Sequence, residues 1–524
     1  MVWVSNMNDF ARYSGKIKSV AEVLKAVGSR PRQQKLVMCH GTFDIVHPGH
    51  IRHLIFAKSK GDLLLASITC DAHITKANMR PYVPEDLRAI NLAAFEIVDF
   101  VIIDRNPAPL ENIEIIQPDF FCKGYEYFHS GAMHHKTREE ADVVESYGGE
   151  VIFTPGDVVY SSSHIIESQM PDLAKEKLAL LMDAEGVSFD DLRKTLANFK
   201  GRKVHVVGDS IVDSLTRCSV IGGMTKTPTM SVRHEQKEDY VGGAAVVAKH
   251  LREAGADVMF TTVLGNDEYG KYIQQDLVNS GVTVNAVIDD NRPTTNKNAI
   301  VVDGYRLLKV DTVDNRAISD KILDKVSGYI ATSECEAVVF SDFRHGIFAK
   351  ETIPSLIKAI PKNQLKIADS QVASRWGNIL DFKDFDLITP NEREARFALG
   401  DQDSVIRPLG TELYERCNCS VMILKVGEKG VMVFRNKNIN SPRAFFNIDA
   451  FCKNAVDAVG AGDAMLAYST LGIMVSKNPV IAAILGSFAA AIECEQDGNI
   501  PVKPENIVDM IDRLQSLNSR HCSN

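Results

Sequence analysis

Two histidines three residues apart, His47 and His50, flank Pro48 and Gly49 shortly after an apolar, strand-like run at residues 36–39. Proline suits the first turn of a helix, so this segment predicts a helix that begins directly after a strand. The free N–H groups of such a helix bind anions, and both imidazoles can donate hydrogen bonds to a triphosphate and to the charge that develops at its α-phosphorus. The chemistry indicated is nucleotidyl transfer: a phosphate oxygen of the substrate attacks, and pyrophosphate leaves. The residues before the turn, assigned to the same nucleotide site, are Gly41, Thr42, Phe43 and Asp44.

A second group of residues precedes a strongly helix-forming run that starts at Ala464. It consists of Asp457, Gly460, Ala461, Gly462 and Asp463. Small residues let the backbone approach a phosphate closely, and a helix N-terminus stabilises charge on a transferred group. Asp463 can accept the proton of an attacking sugar hydroxyl. The pattern predicts phosphoryl transfer by a kinase without a Walker A loop; the alternative is a glycine-rich helix start that Asp463 merely caps.

The bulk composition is that of an ordinary globular protein, with 45% apolar and 24% charged residues in 524. A net charge of −9 argues against nucleic acid or an anionic membrane as the main partner. The N-terminus lacks the sustained apolar core of a signal peptide, and the apolar stretch from Val480 to Ile492 is too short to span a bilayer. We therefore expect a cytoplasmic protein that binds small anionic molecules.

The ten cysteines include no CxxC pair, so neither a zinc site nor a disulfide framework is predicted. Paired histidines sometimes bind a metal, but no third ligand of convincing spacing follows His47 and His50. Residues 127–136 are rich in histidine and could reshape a substrate pocket or form a solvated loop.

Short β-rich runs alternate with helical patterns along most of the chain, which predicts an α/β protein with two doubly wound domains. The predicted divisions are an N-terminal extension at 1–34, a first domain at 35–167, a helical linker at 168–200 and a second domain at 201–516. Within the second domain, residues 297–311 alternate in polarity and could form a small sheet over an active site.

The GTFD and HPGH motifs resemble those of the cytidylyltransferase-like nucleotidyltransferases, a Rossmann-like family, and further matches follow in the expected order. This resemblance implies that Lys76 acts at the phosphates together with a serine-rich segment, and that Arg88 supports them. The other residues implied at this site are Lys123, Ser161, Ser162 and Ser163. The alternatives are a solvated lysine at Lys76 and a simple helix cap at Ser162 or Ser163.

The DxxGAGD pattern resembles that of the ribokinase-like (PfkB) carbohydrate kinases. The resemblance implies sugar binding by Asp209, Asp213, Gly242 and Gly243, and a nucleotide-side loop containing Lys425 and Gly427. It also implies that Asn391 and Glu394 support phosphate and Mg²⁺, the glutamate indirectly. In one departure, Val246 stands where the family commonly has asparagine, so the sugar or its pose could differ.

Together the two domains resemble the bacterial bifunctional enzymes of ADP-heptose synthesis, with the domain order reversed. The resemblance implies ATP-dependent phosphorylation of heptose 7-phosphate at its anomeric hydroxyl, and nucleotidyl transfer from ATP or CTP to a sugar 1-phosphate. One alternative is a cytidylyltransferase for a small polyol phosphate or phosphonate fused to a sugar kinase. Another is that one domain is catalytically silent and regulatory. Apolar sheet edges also favour a homo-oligomer.

Overall fold

The computed structural model describes residues 13–520 apart from 75–80, 125–127, 130–131, 134, 155–173, 223–229, 372–377, 439–440, 442, 453–454 and 497. The chain divides into two compact units, Met1–Leu173 with Ser519–Asn524, and Ala174–Asn518. Both contain parallel sheets with crossover helices, so the prediction of two α/β domains is confirmed.

The first unit is built on a parallel sheet with the strand order β3-β2-β1-β4-β7. Its strands are β1 (Leu36–Gly41), β2 (Leu63–Thr69), β3 (Phe100–Asp104), β4 (Phe120–Lys123) and β7 (Glu150–Phe153), with a separate hairpin of β5 (Phe128–His129) and β6 (Ala132–Met133). Its helices are α1 (Val20–Val27), α2 (Pro48–Lys58), α3 (Glu85–Ala93), α4 (Leu110–Ile116) and α5 (His135–Ser146). The strand order reverses between β1 and β4, and ligands of open α/β sheets bind at the carboxyl ends of strands at such a point.

The described part of the N-terminal extension packs onto this unit. Ile17 forms a parallel bridge to Val101 of β3, and Val23 of α1 is fully buried. Ser19 begins α1 in a capping box with Glu22, in which each side chain accepts a backbone N–H of the other residue. The segment is therefore an integral part of the first unit.

The second unit contains a large sheet with the order β12-β11-β8-β15-β16-β17-β18-β19-β20, and a small sheet with the order β10-β9-β13-β14. Its strands are β8 (Lys203–Gly208), β9 (Ser210–Gly222), β10 (Ser231–Gly243), β11 (Asp257–Leu264), β12 (Thr283–Ile288), β13 (Asn296–Val302), β14 (Tyr305–Thr312), β15 (Ala337–Asp342), β16 (Leu365–Ser370), β17 (Leu387–Ile388), β18 (Val421–Lys425), β19 (Val431–Phe434) and β20 (Phe445–Ile448). The large sheet is parallel from β12 to β18 and antiparallel beyond, and its order reverses between β8 and β15.

Helices cover the large sheet. They are α6 (Ala174–Ala184), α7 (Phe189–Ala197), α8 (Ala244–Glu253), α9 (Glu268–Asn279), α10 (Asp320–Ala331), α11 (Ile353–Ala359), α12 (Glu392–Leu399), α13 (Ile406–Cys417), α14 (Ala461–Ser476), α15 (Pro479–Cys494) and α16 (Pro504–Arg520). The segment predicted as a helical linker supplies α6 and α7, whose apolar side chains lie in the core of this unit.

The apolar run near the C-terminus forms most of α15 and is buried, as predicted. Among the described residues, no helix combines the length and the apolar character needed to cross a membrane. The segment predicted as a small sheet forms the hairpin of β13 and β14.

Candidate active sites

The first candidate site lies at the turn between β1 and α2, at the reversal point of the first sheet. His47 caps α2, and its Nδ1 accepts the backbone N–H of Gly49 at 3.1 Å. Its ring stacks on His50 at 3.9 Å between centroids, and His50 also lies 5.2 Å from the ring of Phe43. The structure thus brings together both histidines predicted to act on a triphosphate.

The imidazole of His50 is neutral near physiological pH. Burial, followed by the charges of His47 and His53, lowers the pKa of His50 to about 4. A neutral imidazole still donates one N–H, so His50 can stabilise developing negative charge by a hydrogen bond without carrying a positive charge.

Arg88 and Asp44 organise the loops around this turn. Arg88 is fully buried, and its guanidinium donates to the carbonyls of Thr42 at 2.6 Å and Thr69 at 2.9 Å. It also pairs with Asp71 at 2.6 Å. The carboxylate of Asp44 accepts the N–H groups of Tyr82 and Val83 at 3.0 and 2.8 Å. Arg88 therefore holds these loops in place, and its support of bound phosphates stays a prediction.

The other residues predicted for this site differ in position. Phe43, 5% exposed, packs in the core beside His50, and Gly41 ends β1 next to its ring. Lys123 ends β4, across the reversal point from the histidines, and pairs with Glu140 at 2.6 Å. Lys76, Ser161, Ser162 and Ser163 lie outside the described residues.

The second candidate site centres on the start of α14. Gly460 adopts a left-handed conformation with φ of 87° and caps this helix. A side chain there would meet Glu493 Oε1 and Asn499 Oδ1 at 2.8 Å, so glycine is required. The N–H groups of Ala461 and Gly462 come first in the helix, where no preceding turn accepts them. This arrangement suits an anion at the helix N-terminus.

Asp463, in the first turn of α14, has an environment suited to a general base. Burial, followed by the negative charge of Asp369, raises its pKa to about 8. Lys425 opposes this shift, while Glu493 and Asp213 add to it. A pKa near the working pH is what an effective general base needs. The effect of Asp213 also shows that the predicted sugar side and phosphoryl side lie within electrostatic reach of each other.

Lys425 and Asp369 form a buried ion pair beside this base. The ammonium of Lys425 lies 2.9 Å from Asp369 Oδ1, which also accepts the hydroxyl of Thr389 at 2.7 Å. Burial by itself lowers the pKa of Lys425, but Asp369, Glu394 and Asp463 outweigh it and leave that pKa raised. Lys425 therefore stays charged. A side chain at position 462 would come within 3.3 Å of its Nζ.

Asn391 and Glu394 owe their spacing to a capping box at the start of α12. Asn391 Oδ1 accepts the N–H of Glu394 at 2.8 Å, while the Glu394 carboxylate accepts the backbone N–H and the amide of Asn391 at 2.7 and 2.6 Å. Burial raises the pKa of Glu394 to about 7. The box fixes Glu394 beside Lys425 and Asp369.

Residues predicted to bind sugar cluster where the large sheet reverses its order. The carboxylate of Asp209, after β8, accepts the backbone N–H groups of Phe343, His345 and Ile347 at 3.1 to 3.3 Å. This network ties Asp209 to the loop after β15. Gly243 caps α8 with φ of 66°, where a side chain would press on the Asp209 carbonyl oxygen.

The carboxylate of Asp213 on β9 lies directly against the backbone of Gly242. A side chain at position 242 would therefore collide with it. Burial raises the pKa of Asp213, and Lys297, its register partner on β13, opposes that shift. Val246 in α8 is only 2% exposed.

The remaining predicted residues lie on loops. Gly427 begins a 3₁₀ turn after β18 with φ of 60°, and Asp457 Oδ1 accepts the N–H of Val459 at 3.0 Å.

Asp369 and Lys297 lie at this site but were not predicted from the sequence. Asp369 follows the apolar run of β16, and a carboxylate at the carboxyl end of a parallel strand was the available signal.

Comparisons with known proteins agree with these two units. The model of the pfkB family carbohydrate kinases matches residues 202–506, which is more than half of the chain. The chain belongs to this family. A cytidylyltransferase-like family model matches residues 38–168, N-terminal to the pfkB domain. The predicted pairing of a Rossmann-like nucleotidyltransferase fold with a ribokinase-like fold is confirmed.

Individual relatives are distant. The bifunctional protein HldE of Helicobacter hepaticus is 25% identical over 320 residues, covering 60% of this chain and 64% of its own length. The bifunctional protein HldE of Sulfurimonas denitrificans is 25% identical over 323 residues, covering 60% and 65%. The chain therefore spans less than two thirds of the length of these relatives. Among solved structures, phosphofructokinase-2 from Escherichia coli in complex with potassium aligns with a TM-score of 0.50 and 17% sequence identity. The aligned region covers 60% of this chain and 99% of that structure, and the likeness shows the fold alone.

Proposed function

We propose that the chain is a bifunctional enzyme of nucleotide-sugar synthesis. The pfkB domain phosphorylates a sugar phosphate at its anomeric hydroxyl, and the cytidylyltransferase-like domain joins a nucleotide to the sugar 1-phosphate. The observation that carries the proposal is the placement of a carboxyl group of raised pKa, Asp463, at the start of α14 and within electrostatic reach of Asp213. A separate phosphatase removes the distal phosphate between the two steps.

In the kinase step, Asp463 accepts the proton of the anomeric hydroxyl while that oxygen bonds to the γ-phosphorus of ATP. The bond from this phosphorus to the bridging oxygen breaks, and ADP leaves. The first N–H groups of α14 and the ammonium of Lys425 face the charge on the transferred group. Asp213 and the backbone at Gly242 and Gly243 bind the sugar.

Mg²⁺ suits the acidic groups beside Lys425, because carboxylate oxygens are its preferred protein ligands. Asp369 and Glu394 would hold the ion. Since both oxygens of Glu394 already accept hydrogen bonds from Asn391, Glu394 would act through bound water. When bound, the ion neutralises charge on the phosphates of ATP.

In the nucleotidyl-transfer step, a phosphate oxygen of the sugar 1-phosphate attacks the α-phosphorus of ATP or CTP, and pyrophosphate leaves. His47 and His50 donate to the phosphates and to the charge that develops there. Lys123 lies across the reversal point at the end of β4, and Lys76 and Ser161 to Ser163 complete the proposed phosphate contacts.

Heptose 7-phosphate is the proposed kinase substrate, supported by the similarity to the HldE proteins. The proposal includes a domain order reversed relative to those relatives and a pocket changed at Val246. A polyol-phosphate cytidylyltransferase is the alternative for the first domain. Pyrophosphate release should be measured with heptose 1-phosphate and with glycerol 3-phosphate, each with ATP and with CTP. We expect release with heptose 1-phosphate; release only with glycerol 3-phosphate and CTP would establish the alternative.

Removal of the ammonium beside Asp463 should shift the pH dependence of the kinase. In Lys425→Met, the charges of Asp369 and Asp463 lose their compensation, so the pKa of Asp463 should rise further. In the wild type, kcat/KM for phosphotransfer should rise with pH as Asp463 loses its proton. In Lys425→Met we expect this rise to shift to higher pH by about one unit. Lys362→Met, at an exposed position, is the control and should leave the rise in place. An unshifted rise in Lys425→Met would remove Lys425 from this network.

Self-association is proposed through the small sheet. Strand β14 is exposed along its whole length and carries Leu308 and Val310, 54% and 46% exposed, on one face. The double substitution Leu308→Asp with Val310→Asp should convert a wild-type dimer to a monomer in analytical ultracentrifugation. The control Val278→Asp, at an exposed position of α9, should leave the dimer intact. A monomeric wild-type protein would contradict this proposal.

A further inference from the structure

Two cysteines and a histidine lie next to one another close to the first candidate site. Cys39 on β1 and Cys122 on β4 are register partners on adjacent parallel strands. His53 on α2 lies over them, and the ligand atoms of all three residues lie within 4.8 Å of one another. Both cysteines are fully buried and His53 is partly exposed, so the group is closed toward the core and open on the helix side.

The position of this group within the fold is specific. Cys39 lies two residues before the end of β1, and Cys122 lies one residue before the end of β4, at the point where the sheet reverses its strand order. His53 lies one turn after His50 on α2. A bond from the two strands to this helix would therefore brace the turn that carries His47 and His50.

We propose that Cys39, His53 and Cys122 bind a divalent metal ion of the zinc class. Two sulfur ligands and one imidazole favour Zn²⁺ over Mg²⁺ or Ca²⁺, which prefer oxygen. Two thiolates balance the charge of the ion, and a site without net charge is suited to burial. Metal binding releases the thiol protons.

Thr154 supplies the outer contacts that such a site needs. Its hydroxyl lies 2.5 Å from His53 Nδ1 and 3.8 Å from Cys122 Sγ, and it also faces the carbonyl of Lys123 at 3.3 Å. A partner of this kind fixes the orientation of a histidine ligand. The protein supplies three ligands, which leaves a fourth position for water.

The test uses the full-length protein, purified under reducing conditions, stripped of metal and titrated with Co²⁺. Absorption from thiolate-to-cobalt charge transfer, together with the strong visible bands of a tetrahedral ion, should saturate at one ion per chain. Zn²⁺ should displace Co²⁺ and raise the midpoint of thermal unfolding of the same protein. Cys122→Ser and His53→Gln should each lower Co²⁺ affinity by about 100-fold or more, and Thr154→Val by ~10–100-fold.

Cys70→Ser is the matched control, because Cys70 is a buried cysteine of the same unit that lies outside the group. It should bind Co²⁺ as the wild type does. The wild-type titration decides the proposal even if a variant fails to fold. Absence of thiolate charge transfer, or an unchanged signal in folded Cys122→Ser, would overturn it.

Discussion

Replacing Asp463 with asparagine is expected to lower the phosphotransfer rate by ~10²–10⁴-fold and to leave nucleotidyl transfer unchanged. Asparagine keeps the shape of the side chain but cannot accept the proton of the sugar hydroxyl. The helix start at Gly460 and the ion pair of Lys425 with Asp369 do not depend on that carboxylate, so substrate binding should persist. Steady-state kinetics of both reactions on one preparation provide the measurement.

The wild-type pH profile should show the same group. The pKa of Asp463 is raised to about 8, so the fraction of active base falls tenfold for each pH unit below that value. We expect kcat/KM for phosphotransfer to rise with pH and to level off above about 8. A profile that is flat from pH 6 to 9 would contradict the assignment of Asp463 as the base.

As the pH rises, the stability contributed by Asp463 should fall while the phosphotransfer activity rises. The pKa of Asp463 is raised from an ordinary value of 3.8 to about 8, so the folded protein holds a proton that the unfolded chain releases between these values. This group therefore destabilises the fold progressively as the pH rises through that window. At pH 7 and above, Asp463→Asn should be more stable than the wild type, by about 1 kcal/mol or more. Asp303→Asn, in the exposed turn between β13 and β14, is the control.

The second large effect is expected at the other active site. His50→Ala should lower nucleotidyl transfer by ~10²–10³-fold and leave phosphotransfer unchanged, because it removes a donor aimed at the developing charge. His47 needs a different substitution, since its Nδ1 caps α2. His47→Asn keeps a capping acceptor and removes the imidazole, so its loss of activity can be separated from a loss of helix stability.

The protonation of His50 gives this prediction a second readout. With a pKa lowered to about 4, its imidazole stays neutral from pH 5 to 8. Titration of His50 should therefore cause no change in kcat/KM for nucleotidyl transfer over this pH range. His73→Gln, a histidine of the same unit outside the site, should retain full activity. If folded His50→Ala or Asp463→Asn lost both activities, the two sites would not be independent.

Local sequence signals were sufficient to predict both folds and the start of α2, and they gave the start of α14 to within three residues, at Ala464 in place of Ala461. Alternation of apolar runs with helical patterns gave the parallel sheets, Pro48 marked the start of α2, and the small residues before Asp463 marked the start of α14. The spacing of Asn391 and Glu394 has a local cause as well, because a capping box requires its partner at the third residue after the cap.

Contacts between distant strands could not be predicted in this way. Asp369 comes beside Lys425 only because β16, β17 and β18 are neighbours in the large sheet. Cys39 and Cys122 are register partners although more than eighty residues separate them, and no spacing rule for metal ligands covers that distance. The charges that raise the pKa of Asp463 likewise come from separate elements of the fold.

The most direct test of the central claim is mass spectrometry of the products that the purified full-length chain forms with Mg²⁺, ATP and CTP. D-glycero-D-manno-heptose 7-phosphate is supplied in one reaction and heptose 1-phosphate in the other. We predict a heptose bisphosphate in the first reaction and a nucleoside diphosphate heptose in the second, whose mass identifies the base. If folded protein formed neither product with both nucleotides present, the proposal that this chain activates heptose would be contradicted.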